Sequence, residues 1–323
     1  MEGIDHLKRK IWEKLVRRTK QSKLYFCIYK SYWHLMLRGD LDREDNLNYF
    51  TALPNSGAGI GHQMANWIAG LWFAKKLDLR FAHSPFPNPI WEYFLGFGEE
   101  EITADVLIKN HGYKKIKLPL FDENKKDEIA LIKNIINSYQ NKKVVFFAEQ
   151  DQYYGDQFGV MVTLKQKFHN AKARQFDHVI YSKDHFNIAI HVRRGDITIG
   201  QLNKNPNLLM RWQDNDFFTN ALDNAIKKVS SEKPIRIFLF SQGNIEDFKE
   251  FEKYKCITYC LDMNAKDSFL HMVYADMLIT SKSSFSYKPA LLNKGIIVSA
   301  KNFWHGYPKD ENWLLTDDKG FFI

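Results

Sequence analysis

The sequence is poor in cysteine and has no long apolar run. Its 323 residues include three cysteines, an odd and sparse set that argues against a disulfide framework and fits a reducing compartment. Cys256 and Cys260 lack a nearby second Cys/His pair, so we expect small buried thiols and no zinc site. No run of about 18 apolar residues occurs. The charged stretch Met1 to Lys10 has no apolar core behind it, which predicts no signal peptide and a cytoplasmic protein.

Two common nucleotide-binding patterns are also missing. Gly57, Gly59 and Gly61 form an alternating glycine loop that differs from the dinucleotide pattern GxGxxG, and the next predicted strand ends without an acidic residue. The phosphate-loop pattern GxxxxGK[ST] is absent. These absences disfavour nicotinamide and flavin cofactors and exclude a P-loop NTPase. Asp214 and Asp216 resemble a metal-binding acidic pair, but they precede a predicted helix and are expected to cap it.

Positive charge is present in excess. Forty-six Lys and Arg against thirty-eight Asp and Glu give a net charge of +8, which favours anionic partners such as nucleotides or anionic lipid. Part of this charge falls between residues 4 and 23, where Ile4, Leu7, Ile11 and Leu15 recur at helical spacing among basic residues. The pattern predicts a basic amphipathic helix that either lies on an anionic bilayer or packs on its own domain. No nucleic-acid-reading motif accompanies it.

Strand-like and helix-like segments alternate along the chain, most regularly after residue 185. Such alternation predicts an α/β fold with parallel, doubly wound sheets. We divide the sequence into a basic N-terminal helical segment (residues 1–45) and two Rossmann-like domains (residues 46–170 and 171–323). In parallel sheets ligands bind beyond the carboxyl ends of the strands, so the loops at those ends are the places to look for chemistry.

The loop after the predicted strand 186–192 carries two adjacent arginines. Arg193 and Arg194 can hold a diphosphate through bidentate, charge-assisted hydrogen bonds. Gly195 lets the backbone approach a ligand closely, and Asp196 can orient an arginine or accept a proton. The alternative interpretation is an ordinary surface Arg–Asp pair.

Two further loops follow predicted strands. The run Thr280 to Ser286 brings hydroxyls and backbone amides to the start of a helix, a favourable place for a phosphate. Ser-rich helix starts also occur for structural reasons alone. After the strand that ends at Phe240, Ser241 and Gln242 could contact a base or ribose.

Taken together, these loops resemble the α-1,2-fucosyltransferases, and the first motif is shared with α-1,6-fucosyltransferases. His191 to Asp196 matches the HxRRGD motif, and Gly59 to Gln63 resembles the glycine loop near the start of those enzymes. Ile279 to Ser286 is similar to their third motif, and Lys301 to Trp304 to their closing segment. The resemblance runs in the family's order from Gly57 to Trp304.

The resemblance implies a GT-B glycosyltransferase with two Rossmann-like domains facing a cleft. The N-terminal domain would take the acceptor, and the C-terminal domain would bind GDP-fucose as co-substrate, with inversion at the anomeric carbon and without a metal or other cofactor. On this basis we predict a donor site that comprises His191, Arg193, Arg194, Gly59, Gly61, Ser241, Gln242, Asp267, Ser283, Ser284 and Phe285.

Glycosyl transfer needs stabilisation of the departing diphosphate and a base for the acceptor hydroxyl. We assign catalysis to Arg193 and Arg194, whose charges can replace a divalent metal. Asp196 and His62 are the two candidate bases. Asp196 lies beside cationic arginines, which makes it a weak base. An imidazole such as that of His62 can accept a proton near neutrality, but it could equally donate to the sugar or pack in the core.

The sequence thus predicts an enzyme that moves L-fucose to a glycan hydroxyl, with α-1,2 linkage, in bacterial surface-glycan synthesis. We expect a lipid-linked acceptor, peripheral contact with the inner face of the membrane and no nucleic-acid partner. Two enzyme alternatives remain, an α-1,6-fucosyltransferase and another GT-B transferase that uses a different nucleotide sugar. The non-enzyme alternative is a basic module that binds nucleic acid or membrane.

Overall fold

The structure is a computed structural model. It describes Ser22 and residues 47–137, 139, 142–148, 158–198, 206–229 and 231–323. The predicted amphipathic helix near the N-terminus, and Cys27, lie outside these residues. The described parts form two compact units.

The first unit comprises residues 47–55, 66–85 and the described part of 100–157. It contains a four-stranded parallel sheet in the order β2-β1-β4-β3. Its elements are β1 (Tyr49–Thr51), most of α1 (Ile60–Lys76), β2 (Arg80–Ala82), α3 (Ala104–His111), β3 (Lys114–Lys117), α4 (Lys126–Asn137) and β4 (Val144–Phe147).

Helices cover both faces of this sheet. On one face Phe50 and Phe146 pack with Phe73 of α1 and Ile132 of α4. On the other face Ala82 and Val145 pack with residues of α3. The central strands β1 and β4 are mostly buried and β4 is a continuous apolar run, as buried parallel strands usually are, whereas the edge strand β3 carries three lysines.

The second unit comprises residues 56–65, 86–99 and the described part of 158–323. Its six-stranded sheet is parallel in the order β10-β9-β8-β5-β6-β7. The strands are β5 (Phe186–His191), β6 (Ile235–Ser241), β7 (Ile257–Leu261), β8 (Met277–Ile279), β9 (Ile296–Ala300) and β10 (Trp313–Thr316). The helices are α2 (Pro89–Leu95), α5 (Met161–Asn170), α6 (Pro206–Leu209), α7 (Asn215–Lys228), α8 (Ala265–Tyr274) and α9 (Ser284–Leu292), with 3₁₀ turns at Phe158–Val160, Lys172–Phe176 and Ile245–Phe251.

The strand order of this sheet reverses at β5. The chain adds β6 and β7 on one side of β5 and then places β8, β9 and β10 on the other. The carboxyl ends of β5 and β8, which are neighbours in the sheet, therefore flank a topological switch point. Open α/β sheets bind ligands at such a point, since the two following loops diverge and leave a crevice.

Alternate residues of β6 point to opposite faces of the second sheet. Ile237 and Leu239 pack with α7 and with Phe248 in one apolar cluster. Phe240 faces α8, where its ring lies 5.6 Å from that of His271. Both faces are covered, which fixes the strand ends and the loops beyond them.

The α/β class with parallel sheets is confirmed, and β5 and β6 lie where the sequence predicts a strand over 186–192 and a strand ending at Phe240. Two differences concern the first half. The apolar run after the glycine loop predicts a helix from Met64, but α1 begins at Ile60, because the glycine loop itself enters the first helical turn. Helix α5, which the sequence division places in the first domain, belongs to the second unit, where the His169 ring hydrogen-bonds the Leu292 carbonyl at 3.0 Å.

Residues 56–65 and 86–99 also belong to the second unit, so the two units are interleaved along the chain. The linear division at residues 45 and 170 stays a prediction, as does a cleft between two domains. Cys256 and Cys260 are free thiols, one half-buried and one buried. Across the described residues no helix is both long and apolar enough to cross a membrane.

Candidate active site

A cavity of about 490 Å³ lies in the second unit, at the carboxyl ends of its central strands. Segments that follow β5, β6, β7 and β8 form most of its wall, and the glycine loop before α1 completes it. The residues that line it are Ala58, Gly59, Ile60, Gly61, His62, His191, Val192, Arg193, Arg194, Asp196, Arg211, Phe240, Ser241, Gln242, Met263, Ala265, Ser268, Ser283, Ser284 and Phe285.

His191 is the last residue of β5 and is buried. Its Nδ1 lies 2.8 Å from the hydroxyl oxygen of Ser281, and its ring lies 5.4 Å from that of Phe285. Burial, together with the charges of Arg193 and Arg194, lowers the pKa of His191 to about 3. The imidazole is therefore neutral at physiological pH and shapes the cavity wall without adding charge.

Arg193 links the β5 loop to the start of α9. Its Nη2 donates to a carboxylate oxygen of Asp196 at 2.8 Å, and its Nη1 donates to the Ser283 hydroxyl oxygen at 3.1 Å. Its Nε lies 3.4 Å from the other Asp196 oxygen. An arginine carries five N–H groups, so two on Arg193 remain for a ligand.

Arg194 is more buried than Arg193 and is only 8% exposed. Its guanidinium lies 4.1 Å from the centre of the Trp212 ring, a cation–π contact. Nη1 donates to the carbonyl of Arg193 at 2.8 Å, and Nη2 donates to Asn215 Oδ1 at 2.5 Å. Burial lowers the pKa of Arg194 to about 10, so the group stays charged at neutral pH. These contacts hold the Arg193 backbone in place and leave the Arg194 guanidinium less available to a ligand.

Asn215 is fixed in turn by two acceptors. Its Nδ2 donates to the carbonyl of Asp247 and to the carboxylate of Glu250, both at 2.7 Å. A chain of hydrogen bonds thus runs from the 3₁₀ turn after β6 through Asn215 to Arg194, which gives the β5 loop one conformation.

Helix α9 begins beside Arg193. Ser283 is its N-cap and accepts from the Phe285 amide at 3.2 Å through its hydroxyl oxygen. The buried Ser281 amide donates to the Ser286 hydroxyl at 3.2 Å, and the Lys282 amide donates to Gln213 Oε1 at 2.7 Å. The positive end of the helix dipole therefore faces the cavity, an arrangement that favours anions.

The glycine loop approaches this helix closely. A Cβ atom added at Gly61 would lie 2.7 Å from both the carbonyl carbon and the carbonyl oxygen of Ser284. Only glycine fits at this distance without a backbone shift. At Gly59, by contrast, an added Cβ would meet no atom within 4 Å.

The β6 loop meets the β5 loop at Gly195, which has a φ of +68°. Any Cβ at this position would collide with the side-chain amide of Gln242. The Ser241 hydroxyl donates to the Val192 carbonyl at 2.7 Å. The left-handed backbone conformation explains why glycine interrupts the charged motif here.

No protein-family model and no curated protein matches this sequence. Similar solved structures include POFUT1 in complex with GDP, with 13% identity, a TM-score of 0.48 and coverage of 79% of this chain and 99% of that one. A mutant of Arabidopsis thaliana FUT1 in complex with GDP has 10% identity, a TM-score of 0.47 and coverage of 95% and 80%. NodZ α-1,6-fucosyltransferase soaked with GDP-fucose has 10% identity, a TM-score of 0.40 and coverage of 79% and 95%. At these values the function of this chain has to be argued from its own site.

The structure brings most of the predicted site residues to one cavity: His62, Gly59, Gly61, His191, Arg193, Arg194, Asp196, Ser241, Gln242, Ser283, Ser284 and Phe285 all line it. Asp267 does not. It lies in the first turn of α8 and lines a neighbouring, more apolar cavity of about 860 Å³, while Met263 lines both cavities. The Asp267 carboxylate accepts from Asn264 Nδ2 at 2.6 Å. Its predicted contact with the donor stays a prediction.

Sequence reasoning missed Arg211, Met263, Ala265 and Ser268. The last three follow β7, where the sequence from Ile257 to Cys260 also predicts a short strand, so a search of every strand end would have included them. Arg211 precedes α7 in an irregular segment and had no such signal.

The two candidate bases differ in their surroundings. Asp196 accepts from Arg193, as described above. His62 is exposed to the cavity. The pKa of His305 is lowered to about 3, first by burial, then by the charge of Lys288 and last by that of His62.

Lys288, one helical turn beyond Ser284, is fully buried, and burial lowers its pKa to about 7. Lys288 was not singled out from the sequence.

Of the acidic pair, Asp214 precedes α7 and Asp216 lies in its first turn. Asp214 is at the N-cap position of α7, but its carboxylate accepts from Trp212 Nε1 at 2.7 Å rather than from the helix. Within the described residues no group of three His, Cys, Asp or Glu side chains could hold a metal ion.

Proposed function

We propose that this chain is an enzyme, a fucosyltransferase that moves L-fucose from GDP-fucose to a hydroxyl group of a glycan. The observation that carries the proposal is the position of the Arg193 guanidinium at the N-terminus of α9, with N–H groups left for a ligand in a cavity large enough for a nucleotide. The motifs of the β5 and β8 loops support the choice of donor.

The reaction follows from this arrangement. The acceptor oxygen attacks the anomeric carbon of fucose from the face opposite the diphosphate, the bond between that carbon and the phosphate oxygen breaks, and GDP leaves. The configuration is inverted. Arg193 and the positive end of the α9 dipole offset the charge that develops on the diphosphate, so we propose that no metal is needed.

We propose His62 as the base that takes the acceptor proton. Both carboxylate oxygens of Asp196 face the Arg193 guanidinium, so they are already used as hydrogen-bond acceptors. His62 is exposed to the same cavity, where its imidazole can reach an acceptor hydroxyl. Asp196 then serves to orient Arg193.

The acceptor, the linkage and the cellular role complete the proposal. We propose α-1,2 transfer in bacterial surface-glycan synthesis, with a lipid-linked acceptor and a cytoplasmic enzyme at the inner face of the membrane. The basic segment 4–23 is the sequence feature that supports membrane contact. Sedimentation with anionic liposomes should be lost when residues 1–23 are removed. Undiminished sedimentation would refute this part.

The donor is tested by calorimetric titration with GDP, UDP and GDP-fucose in the presence of EDTA. We expect GDP and GDP-fucose to bind and UDP to bind far more weakly. A preference for UDP would assign the cavity to another nucleotide sugar. Loss of GDP binding in EDTA would mean that a metal takes part.

A further inference from the structure

The three arginines that line the cavity differ in where their N–H groups point. Arg194 directs its bonds to the Arg193 carbonyl and to Asn215, and its flat face to Trp212. Arg193 is held by Asp196 and Ser283 but keeps two N–H groups. If both motif arginines were diphosphate ligands, Arg194 would have to give up contacts that already use its guanidinium.

Arg211 differs from Arg194 in its hydrogen bonding. Its Nε is buried and has no hydrogen-bond partner among the residues that the structure describes. Its guanidinium lies 5.4 Å from the centre of the Trp304 ring, and the nearby Asp196 carboxylate is paired with Arg193. The Nε atom is too buried to meet a ligand itself, but the Arg211 side chain lines the cavity, so its terminal N–H groups are the ones available to a bound anion.

Arg211 also lies within electrostatic reach of Arg193. Burial lowers the pKa of Arg211, the charge of Arg193 lowers it further, and Asp196 offsets part of this effect. Two cations that repel each other across a cavity wall are stabilised when an anion with several oxygens binds between them. A diphosphate has this shape and charge.

We propose that Arg211 is a diphosphate ligand and that, with Arg193, it forms the pair of cations facing the leaving group. For the identity of the sugar nucleotide this inference rests on the proposed function. The diphosphate itself is inferred from the two guanidinium groups. The second cation at the leaving group thus comes from the irregular segment before α7 and not from the neighbouring residue of the motif.

The experiment uses inorganic pyrophosphate, titrated by calorimetry into the full chain at constant ionic strength, since salt screens such contacts. The variant is Arg211→Gln, which removes the charge but keeps an unbranched stem beside Trp304. The matched control is Arg236→Gln, an exposed arginine on β6 of the same unit that does not line the cavity. We expect pyrophosphate affinity to fall about tenfold to hundredfold in Arg211→Gln and to stay unchanged in Arg236→Gln.

A second titration compares GDP with GMP. The wild type should prefer GDP, and Arg211→Gln should lose most of that preference because the second phosphate loses its partner. Unchanged pyrophosphate affinity in Arg211→Gln, or a wild type that binds no pyrophosphate at millimolar concentration, would overturn the inference. If pyrophosphate binding depends on Arg211 while UDP is preferred over GDP, the diphosphate ligand stands and the proposed function fails.

Discussion

Alanine at position 61 should separate the glycine loop from helix α9. The new Cβ would lie 2.7 Å from two backbone atoms of Ser284, where ordinary contacts begin near 3.4 Å, so a gap of several tenths of an ångström has to open. Overpacking of this kind costs about 1–3 kcal/mol. Alanine gains about 0.5–1 kcal/mol over glycine inside a helix, which offsets part of that cost. We expect a net loss of about 1 kcal/mol in unfolding free energy.

Gly61→Ala should also weaken GDP binding, because Gly61 and Ser284 both line the cavity. The assay is urea unfolding followed by tryptophan fluorescence, together with GDP calorimetry. The companion variant is Gly59→Ala, where an added Cβ meets nothing within 4 Å and only a small N-cap preference for glycine is lost. Helix propensity alone predicts that Gly61→Ala stabilises the protein. A stabilised Gly61→Ala variant with normal GDP affinity would therefore refute the close-contact argument.

Three further predictions concern the cavity wall. Arg193→Ala should lower the transfer rate about 10²–10³-fold with the fold intact, whereas Arg194→Ala should also lose about 1.5–3 kcal/mol of unfolding free energy, measured in urea, because charged hydrogen bonds are removed. Normal stability of Arg194→Ala would contradict its bracing role. The pKa of His191 is about 3 in the folded state, below the unfolded value, so its share of stability is complete above pH 6.5 and is lost at about 1.4 kcal/mol per pH unit as pH falls toward 3. Unfolding curves of His191→Gln should show a shallower pH slope, and an unchanged slope would exclude a buried neutral imidazole. Ser283→Ala should cost about 1 kcal/mol in thermal unfolding through loss of the N-cap, while a variant as stable as the wild type would show that the cap contributes little.

The ends of the central strands could be predicted because buried parallel strands are continuous apolar runs with sharp polar ends. The runs before Arg193, Ser241 and Lys282 end in this way, and the structure brings these three loops together. Such runs do not show which strands pair with which in the sheet. It depends on long-range pairing, and it is the reversal at β5 that makes two of these loops neighbours.

Other features depend on packing that no local pattern reports. Arg211 joins the cavity from an irregular segment, and its role depends on sharing the cavity wall with Arg193 rather than on its sequence neighbours. Asp267 was predicted as a donor contact from the family resemblance, and the local sequence does not show that the first turn of α8 lines the adjacent cavity. The return of residues 86–99 to the second unit depends on contacts such as the bond from Arg174 Nη2 to the Phe94 carbonyl at 2.6 Å.

The interleaving of the chain limits how this protein can be divided. A fragment that starts at Phe158 would contain the whole six-stranded sheet and all the cavity arginines, but it would lack Gly59, Gly61 and His62. Limited proteolysis or gene splitting at that point would thus leave the cavity without one part of its wall. A chimaera that exchanges this unit would have to transplant three separate stretches of sequence together. During synthesis the cavity cannot be completed until the ribosome has passed Phe285.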